Sequence, residues 1–368
     1  MKIAIAANDT FTLMHFRLDM LLDFLSKGHH LFILVPDHEY LDELKKLKNV
    51  DCVELKYNRT GTNPFNDFKL IREYKKYLKH EKPDIVFAYN LKPVIYSIYA
   101  AHKEKVGSLY AMIPGAGFVF SGENSKARLI RMMIQHMYRR SLGWCNKVFF
   151  QNPDDLQEFV DAKLIRKEKC IQIYGSGVNL EKFSSAPLPD RPVFLFCARL
   201  LKVKGILEYC EAAKRIRQKH PEVEFHVVGG YDENPTSISK DELEQYIRDE
   251  DIFYHGKVKD VRPYIEGCSI FVLPSYHREG VPHAVLEAMA MGRPILTTSA
   301  IGCRETVKEG VNGFMVSPKN AEELEQKMLW FIENYDQASQ MGMESRKYCS
   351  EKFDVKHVNQ AIAENMNL

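Results

Sequence analysis

Short apolar segments alternate with amphipathic segments along this chain, and the alternation occurs in two series. The first series runs from MKIAIAA at the start of the sequence to CIQIYGSG, and the second runs from VFLFCARL to GFMVSP. A buried apolar segment followed by a helical pattern, repeated many times, is typical of a parallel sheet with helices on both faces. The sequence therefore predicts an α/β fold with two Rossmann-like, doubly wound parallel sheets.

The two series predict two domains. A length of 368 residues is sufficient for two separate hydrophobic cores. By its composition, the segment SSAPLPDRP, residues 184–192, is the clearest linker in the chain. We therefore expect a first domain over residues 1–185, a second domain over residues 190–352, and a final helical segment over residues 353–368.

The composition is that of a soluble globular protein, with 45% hydrophobic and 27% charged residues. No apolar run approaches the length that spans a bilayer, and the N-terminal segment enters a strand without the features of a signal peptide. The eight cysteines show no C-x-x-C spacing, which argues against a zinc site or a disulfide framework. We therefore expect a cytoplasmic protein.

Positive charge is concentrated in the first half of the chain. Residues 1–185 contain 28 Lys and Arg against 21 Asp and Glu, whereas the remainder contains 23 against 28. Such asymmetry marks a surface that meets nucleic acid, anionic lipid or an anionic substrate, or else it is a chance distribution of solvated charges.

Residues 126–140, KARLIRMMIQHMYRR, predict a basic amphipathic helix. Its predicted apolar face consists of Ile130, Met133, Ile134, Met137 and Tyr138. Its cations are Arg128, Arg131, Arg139 and Arg140. A helix of this kind either lies on an anionic membrane or packs an ordinary apolar face on the core, and the additional Leu129 and Met132 favour the membrane.

The stretch from Ser275 to Gly313 places two carboxylates around the start of a predicted helix. Pro282 suits the first helical turn because proline has no N–H that would be left unpaired there. Glu279 precedes this helix and Glu287 lies inside it. The amides of a first helical turn attract an anion such as a diphosphate, and the flanking carboxylates then meet hydroxyl groups. Glu287 therefore suits a ribose diol and Glu279 a transferred sugar, although an isolated E-x7-E pair is usually two solvated charges.

The residues around this pair carry a resemblance to a known family. EGVPHAVLEAMAMGRPIL, followed by GCRE and EGVNGF, resembles the donor-site signature of retaining family-4 glycosyltransferases of GT-B fold. ARLLKVKG, residues 198–205, is similar to the Arg-x4-Lys diphosphate clamp of that family, and GGYDENPT resembles bacterial enzymes that add an N-acetylhexosamine to lipid-linked saccharides. The resemblance implies two Rossmann-like domains that face a cleft, with the C-terminal helix returning to the first domain.

The resemblance also assigns the donor site. Arg199 and Lys204 match the clamp that compensates the diphosphate leaving group, and Glu279 orients the transferred sugar; these three are the predicted catalytic residues. HGKVKD, residues 255–260, resembles the segment whose backbone reads the nucleotide base. The predicted donor-binding residues are Glu287, Gly280, Val281, His283, Ala284, Gly229, Lys257 and Val258.

Acceptor residues are expected after the strands of the first series, because ligands of open α/β sheets bind at the carboxyl ends of strands. The loops concerned supply His15, Arg17, Asn90, Lys92, Gly115 and Gly117. A helix-capping histidine and a solvated lysine are the alternatives for His15 and Lys92. The chain departs from the family in two places: Thr10, Phe11 and Thr12 replace paired glycines, and the IPGAGF loop lacks a histidine that contacts the donor sugar in many relatives.

The resemblance implies transfer of a hexose or N-acetylhexosamine, of the GalNAc or GlcNAc type, from a UDP-sugar with retention of configuration. We expect a saccharide acceptor on polyprenyl diphosphate, in bacterial surface polysaccharide or glycan assembly. We also expect peripheral attachment to the inner face of the cell membrane through the four arginines of residues 126–140, and no nucleic-acid partner. No cofactor is expected.

No metal is expected either, because two cations and a helix start compensate the diphosphate and no Asp-x-Asp motif follows a strand. Two alternatives stay open. A GT-B nucleotide-sugar epimerase would turn over the donor without an acceptor, and a noncatalytic nucleotide-sugar binding protein would tolerate the loss of Glu279.

Overall fold

The computed structural model describes residues 1–55, 64–116, 125–232, 234 and 236–368. The chain divides into two units, one formed by Met1–Ser176 with Val355–Leu368 and the other by Gly177–Asp354. Residues 184–192, which we expected to link two domains, lie within the second unit. Each unit is built on a parallel sheet, as the alternation in the sequence predicts.

The first unit contains a parallel sheet of seven strands among the residues that the structure describes. These strands are β1 (Lys2–Ala6), β2 (His30–Val35), β3 (Val50–Glu54), β4 (Ile85–Tyr89), β5 (Ser108–Ile113), β6 (Lys147–Phe150) and β7 (Cys170–Gln172). Their order is β3-β2-β1-β4-β5-β6-β7. The order reverses between β1 and β4, and ligands of open sheets bind at such a switch, outside the carboxyl ends of the strands.

Helices cover both faces of this sheet. They are α1 (Thr10–Phe16), α2 (Leu18–Ser26), α3 (Leu41–Lys45), α4 (Pro64–Glu81), α5 (Leu91–Lys103), α6 (Ser125–Trp144) and α7 (Pro153–Asp161), with a short 3-10 turn at Lys167–Lys169. Apolar side chains of α4, α5, α6 and α7 form the core on one face, and those of α1 and α2 pack on the other. The carboxyl ends of the strands therefore stay available to loops.

The amphipathic segment after β1 is interrupted at Arg17. The sequence pattern predicts one helix ending near Gly28, whereas the structure has α1 and α2 with Arg17 between them. Arg17 has φ −133° and ψ 1°, which is outside the helical region, and its side chain is buried. The interruption turns a basic side chain toward the sheet instead of toward solvent.

The second unit contains a parallel sheet of six strands within its described part. They are β8 (Val193–Cys197), β9 (Glu224–Val228), β10 (Phe253–Tyr254), β11 (Ile270–Leu273), β12 (Ile295–Thr298) and β13 (Gly313–Val316), in the order β10-β9-β8-β11-β12-β13. The helices are α8 (Ile206–Arg217), α9 (Lys240–Arg248), α10 (Arg262–Glu266), α11 (His283–Ala290), α12 (Ala321–Glu333) and α13 (Tyr335–Lys352), with 3-10 turns at Lys202–Lys204 and Arg304–Thr306. The switch lies between β8 and β11, where the order reverses.

Two further elements complete the units. Helix α14 (Val355–Met366) belongs to the first unit, where Val358 and Ile362 are buried against the same core as α2. In the second unit, the buried Arg293 donates hydrogen bonds to the carbonyl oxygens of Ile265 at 2.9 Å, Pro187 at 3.0 Å and Glu266 at 3.2 Å. Arg293 thereby fixes the proline-rich segment to the body of the unit.

Candidate active site

Lys204 is held at the switch point of the second sheet by its neighbouring glycine. It ends the 3-10 turn Lys202–Lys204 after β8, and Gly205 follows with φ +81°. A Cβ atom at Gly205 would lie 2.2 Å from the carbonyl oxygen of Pro274, at the end of β11. Only glycine therefore allows this turn to approach β11 so closely.

Glu279 and Lys204 form a buried ion pair. Lys204 Nζ lies 2.5 Å from Glu279 Oε2, and the two side chains are only 12% and 16% exposed. Burial acts to raise the pKa of Glu279, but the charge and hydrogen bond of Lys204 and a hydrogen bond from Ser275 outweigh it and hold the pKa below its ordinary value. The resemblance named Lys204 and Glu279 separately, and the structure brings these two side chains, 75 residues apart in the sequence, into direct contact.

Ser275 positions this pair, a role that we did not predict for it. Its Oγ donates to Glu279 Oε1 at 2.9 Å, and its carbonyl oxygen accepts a hydrogen bond from Thr298 Oγ1. The loop after β12 packs closely against the backbone beside Glu279, since a Cβ atom at Gly302 would lie 2.5 Å from the Gly280 carbonyl oxygen. In the sequence, the only indication of the Ser275–Glu279 contact is that the serine stands four residues before the glutamate.

Arg199, the other predicted cation, is paired differently. Its side chain is 63% exposed, and its Nη1 lies 2.9 Å from Asp232 Oδ2 in the loop after β9. Burial lowers the pKa of the nearby His277; the charge of Glu279 opposes this change, and the charges of Lys204 and Arg199 add to it. Asp232 was not predicted, and its place in GGYDENPT carried no signal of the contact.

The helix after Glu279 begins one residue later than predicted. Pro282 occupies the N-cap position with extended backbone, and α11 starts at His283. Gly280 and Val281 are buried, whereas His283 and Ala284 are partly exposed in the first turn. The amides of a first turn have no intrahelical acceptor, so this end of α11 suits an anion.

Glu287 is a buried carboxyl on α11. Its Oε1 lies 3.4 Å from His283 Nε2. Burial raises the pKa of Glu287 to about 8, with Lys182 opposing the rise and Asp260 adding to it. At neutral pH this carboxyl is therefore mostly protonated in the empty site, unlike Glu279.

The predicted base and phosphate segments meet at the ends of β9 and β10. The Gly229 amide donates to the Gly256 carbonyl oxygen at 2.9 Å, and the Gly229 carbonyl oxygen accepts from the Tyr254 hydroxyl at 2.9 Å. Lys257 is exposed beside Gly230, and Val258 packs on the core. Because the Gly229 amide is bonded within the protein, it is not directed at a phosphate.

Arg17 is an unusual feature of the first unit. It is 2% exposed, and its Nη2 lies 2.8 Å from Met112 Sδ, with the guanidinium 5.4 Å from the Tyr89 ring. With the Gln151 amide oriented to satisfy its neighbours, the amide oxygen also accepts from Arg17 Nη2 at 2.6 Å. Nη1 has no hydrogen-bond partner among the described residues. Burial lowers the pKa of Arg17, and the nearby Tyr89 hydroxyl opposes the change without cancelling it.

Asn90 and Lys92 lie at the neighbouring end of β4. Asn90 has φ +68°, and its buried Oδ1 has no hydrogen-bond partner in the described part of the chain; the same is true of Asn8 Oδ1 after β1. Lys92 is not solvated, since its Nζ lies 3.2 Å from Asp67 Oδ1 and its side chain is 13% exposed. Among the described residues, the switch point of the first sheet thus combines a buried cation that has one unpaired nitrogen with two unpaired acceptor oxygens.

The remaining predicted acceptor residues are more peripheral. His15 is exposed and stacks on Phe11, with ring centroids 4.2 Å apart, while Tyr40 meets it edge-on. Gly115 is exposed after β5. Gly117 lies outside the described residues.

Helix α6 presents a mixed surface. Ile134 and Tyr138 are buried as predicted, but Met133, which we expected on the buried face, is 57% exposed because the packed stripe is narrow. Leu129 and Met132 are exposed beside it, together with Arg128 and Arg140. Arg131 is partly buried, and Arg139 donates to the Lys163 carbonyl oxygen at 2.8 Å.

The ranges that the structure describes contain neither a candidate metal cluster nor a candidate membrane span. Within them, no group of three or more His, Cys, Asp or Glu side chains is arranged to hold a metal ion. No described helix combines the length and apolarity needed to cross a bilayer.

The chain is similar to known proteins over most of its length. Residues 2–152 match the family described as Glycosyl transferase 4-like, and residues 191–334 match Glycosyl transferases group 1. The N,N'-diacetylbacillosaminyl-diphospho-undecaprenol alpha-1,3-N-acetylgalactosaminyltransferase of Campylobacter jejuni is 28% identical over 91% of this chain and 90% of its own. The UDP-Gal:alpha-D-GlcNAc-diphosphoundecaprenol alpha-1,3-galactosyltransferase of Escherichia coli is 26% identical over 68% of this chain and 66% of its own.

A solved structure gives the same result for the fold. Anabaena HepE in complex with UDP superposes over the full length of both chains with a TM-score of 0.78 at 19% identity. This likeness shows the GT-B fold. Since the two matched families together cover most of both units, the chain belongs to the glycosyltransferases of the 4-like and group 1 families.

Proposed function

We propose that this glycosyltransferase moves a hexose or N-acetylhexosamine from a UDP-sugar to a saccharide on polyprenyl diphosphate, with retention and without a metal ion. The observation that carries the proposal is the buried Lys204–Glu279 pair beside the start of α11. It joins a cation for the leaving group to a carboxylate for the sugar. The activities for which the Campylobacter and Escherichia coli relatives are named support the acceptor class, and the complex of HepE with UDP supports the nucleotide.

The chemistry follows from where charge develops. The bond between the anomeric carbon and the diphosphate oxygen breaks, and negative charge grows on the diphosphate. Lys204 and the first turn of α11 stabilise that charge, and Arg199 joins them when the diphosphate replaces Asp232 as its partner. These preorganised positive groups support the proposal that no metal is required.

Glu279 orients the transferred sugar. Both of its oxygens already accept hydrogen bonds, one from Lys204 and one from Ser275, which suits a fixed carboxylate better than a nucleophile. The acceptor hydroxyl then attacks from the face that the diphosphate leaves, and its proton passes to a diphosphate oxygen. A new glycosidic bond and UDP are the products, with configuration retained.

Glu287 supports nucleotide binding. A carboxylate accepts hydrogen bonds from both hydroxyls of a ribose diol, and its position on α11 places it beyond the anion-binding turn. His283 lies within reach of the same carboxyl group.

The first unit supports an acceptor that is both charged and rich in hydroxyl groups. Within the part of the chain that the structure describes, Arg17 offers a cation without a carboxylate partner, and Asn8 and Asn90 offer unpaired oxygens that accept hydrogen bonds. A saccharide linked to a diphosphate has complementary groups. His15 lies in α1, after the loop that contains Asn8, and Gly115 follows β5, the strand next to β4.

We also include peripheral attachment to the cytoplasmic face of the membrane. Helix α6 exposes Leu129, Met132 and Met133 beside Arg128 and Arg140, which is the arrangement of a helix that lies in an anionic interface. Each cation near such a surface contributes on the order of 1 kcal/mol, so the attachment is reversible and sensitive to salt.

The proposal is tested by incubating the protein with labelled UDP-hexoses and UDP-N-acetylhexosamines, with and without a polyprenyl-diphosphate-linked saccharide. We expect labelled lipid-linked product only when donor and acceptor are both present. Conversion of the donor without acceptor would indicate an epimerase instead, and donor binding without any turnover would indicate a binding protein.

A further inference from the structure

A second concave site lies in the first unit, away from the carboxyl ends of its strands. It is a pocket of about 330 Å³ between the last turns of α6, the end of α7 and the segment that leads into β7. Helices of βα units run antiparallel to their strands, so the ends of α6 and α7 lie at the amino-terminal edge of the sheet. The pocket is therefore separate from the switch point that holds Arg17 and Asn90.

All of the charged side chains that line this pocket are cations, among the described residues. They are Arg139, Lys163, Arg166 and Lys169. Its apolar floor includes Leu164 and Ile165, which are 2% and 7% exposed. A cationic rim above an apolar floor fits a ligand that joins an anion to a hydrocarbon.

Two of the cations are fixed in place by backbone carbonyl groups. Arg139 donates from Nε to the Lys163 oxygen at 2.8 Å, and Lys169 donates from Nζ to the carbonyl oxygens of Gly143 at 2.6 Å and Cys145 at 2.7 Å. Carbonyl partners hold the side chains without neutralising their charge. Burial lowers the pKa of Lys169, and the nearby Arg166 lowers it further, although the Cys145 thiol opposes the change.

The other two cations, Lys163 and Arg166, are exposed to solvent. Lys163 and Arg166 make no ion pair or side-chain hydrogen bond with the residues that the structure describes. Lys163 stands at the C-terminal end of α7 with φ +54°. Four positive groups thus converge without an acid, an arrangement that costs energy unless an anion is bound.

The exposed face of α6 leads directly to this pocket. Leu129, Met132, Met133 and Arg140 occupy positions i, i+3, i+4 and i+11 of a helix of 20 residues, and Arg139 flanks the same stripe. The stripe and the pocket therefore share one side of a helix about 30 Å long. A bilayer surface is the partner that can cover hydrocarbon and phosphate groups over that length.

We propose that the pocket formed by Arg139, Lys163, Arg166 and Lys169 binds the phosphate of an anionic phospholipid, with the lipid's hydrocarbon toward Leu164 and Ile165. The inference rests on the membrane attachment included in the proposed function. It differs from general attraction to anionic membranes because it places a headgroup in a defined site. A soluble phosphate would use the rim alone and leave the apolar floor and the α6 stripe uncovered.

The test compares two charge-matched double variants. Lys163→Asn with Arg166→Gln removes two rim cations, and asparagine tolerates positive φ. The control is Lys82→Asn with Lys105→Asn, because these lysines also follow helix ends with φ +47° and +59° at the same edge of the sheet. They line a pocket that contains Asp84 and Glu104, and therefore offer the same charge in a different setting.

Binding is measured by co-sedimentation with vesicles of phosphatidylglycerol and phosphatidylcholine, with folding checked by circular dichroism. Removing two cations at a bound headgroup should weaken binding roughly 10- to 30-fold, whereas the control should lose less than about threefold. Equal losses of vesicle affinity in both variants would mean that binding depends only on overall charge, and would overturn the proposed headgroup site. Wild-type binding by the Lys163/Arg166 variant would also overturn it.

Two further arms separate the alternatives. At equal ionic strength, inorganic phosphate should displace the wild type from vesicles no more than chloride does. Stronger displacement by phosphate would mean that the pocket binds free phosphate, and would overturn the proposal that it binds a lipid headgroup. Sugar transfer to a short-chain, water-soluble acceptor should be the same in the Lys163/Arg166 variant and the wild type. If only the Lys163/Arg166 variant loses transfer activity, the pocket does not act through membrane binding alone, and the proposal is overturned. If the wild type shows no transfer, the proposed function fails, but the vesicle result still tests the lipid site.

Discussion

The switch points of the two sheets differ in how their polar groups are satisfied. In the second unit, Lys204, Glu279 and Ser275 bond to one another, and Arg199 is paired with Asp232. In the first unit, Arg17 is buried without a carboxylate, and buried oxygens of Asn8 and Asn90 have no partner among the described residues. The polar side chains of the second unit's site thus satisfy one another, whereas those of the first unit's site do not.

The difference corresponds to the two substrates that we propose. A nucleotide diphosphate is the same in every donor, so a rigid and preorganised arrangement stabilises it with little reorganisation. Unpaired buried groups lower stability in the empty protein and gain their partners only when ligand binds. The predictions below test whether this division between the donor site and the acceptor site holds.

Lys204→Ala should produce the largest effect. It removes a preorganised cation from the leaving group and should lower kcat by roughly 10²- to 10³-fold. The matched control is Lys202→Ala, two residues earlier, because Lys202 pairs with Glu242 at a half-exposed position. Steady-state kinetics should show less than about a threefold change for the control, and turnover near the wild-type value in the Lys204 variant would remove this residue from the mechanism.

Arg17→Met should reduce transfer without reducing stability. Loss of a hydrogen bond between charged groups should lower kcat/KM for the acceptor about 10- to 100-fold, and the affinity for UDP should not change. Because Arg17 has no carboxylate partner, its removal should leave the melting temperature equal or higher.

Arg293→Met is the comparison for this variant. Arg293 is also buried, but it satisfies three carbonyl groups, so its loss should lower the free energy of unfolding by on the order of 2–4 kcal/mol. Calorimetry of both variants measures how far the loss of each arginine changes the stability of the fold. If Arg17→Met unfolds as easily as Arg293→Met, then Arg17 is a structural residue and the contrast between the two sites is lost.

Glu287 should make UDP binding dependent on pH. Its pKa is raised to about 8 in the empty site, and the ribose diol is expected to bind the ionised form. Below pH 8 the carboxyl group must lose a proton on binding, so affinity should rise about tenfold per pH unit up to pH 8 and then level off. Isothermal titration between pH 6 and 9 should show this slope in the wild type and not in Glu287→Gln; the same slope in both would exclude Glu287 as its source.

Asp232→Asn should have the smallest effect and the opposite sign. Its carboxylate occupies Arg199 in the empty protein, and an exposed ion pair contributes about 0.2–1 kcal/mol. Releasing Arg199 should therefore tighten UDP binding about 1.5- to 5-fold. Weaker binding would mean that Asp232 positions Arg199 instead of competing with the diphosphate.

The sheets were predictable from the sequence because buried strands such as VFLFC and IVFAY are continuous apolar runs. The interruption at Arg17 was not, because the amphipathic pattern continues through it. The exposure of Met133 was missed for a similar reason: helical spacing identifies a face but not the width of the stripe that packs. Residues 184–192 have the composition of a linker, yet the long-range bonds of Arg293 hold them in the second unit.

The resemblance named Lys204 and Glu279, and the structure brings them into contact. Two supporting residues were not predicted. Ser275 lies in the same loop as Glu279 but belongs to no motif. The contact of Asp232 with Arg199 joins loops that meet only in the folded unit. The same limit applied to Lys92, which we placed at an acceptor site before its contact with Asp67 was known. Charge compensation between distant residues leaves no local pattern in a sequence.

The most direct test of the central claim is the anomeric configuration of the product formed by protein stripped of metal ions and assayed with EDTA. Proton NMR of the purified product identifies the new linkage from its H1–H2 coupling. From an α-linked UDP-sugar and a polyprenyl-diphosphate-linked saccharide, the Lys204–Glu279 site should form an α-linked product at an undiminished rate. A β-linked product, or activity that returns only when Mg²⁺ or Mn²⁺ is added, would contradict it.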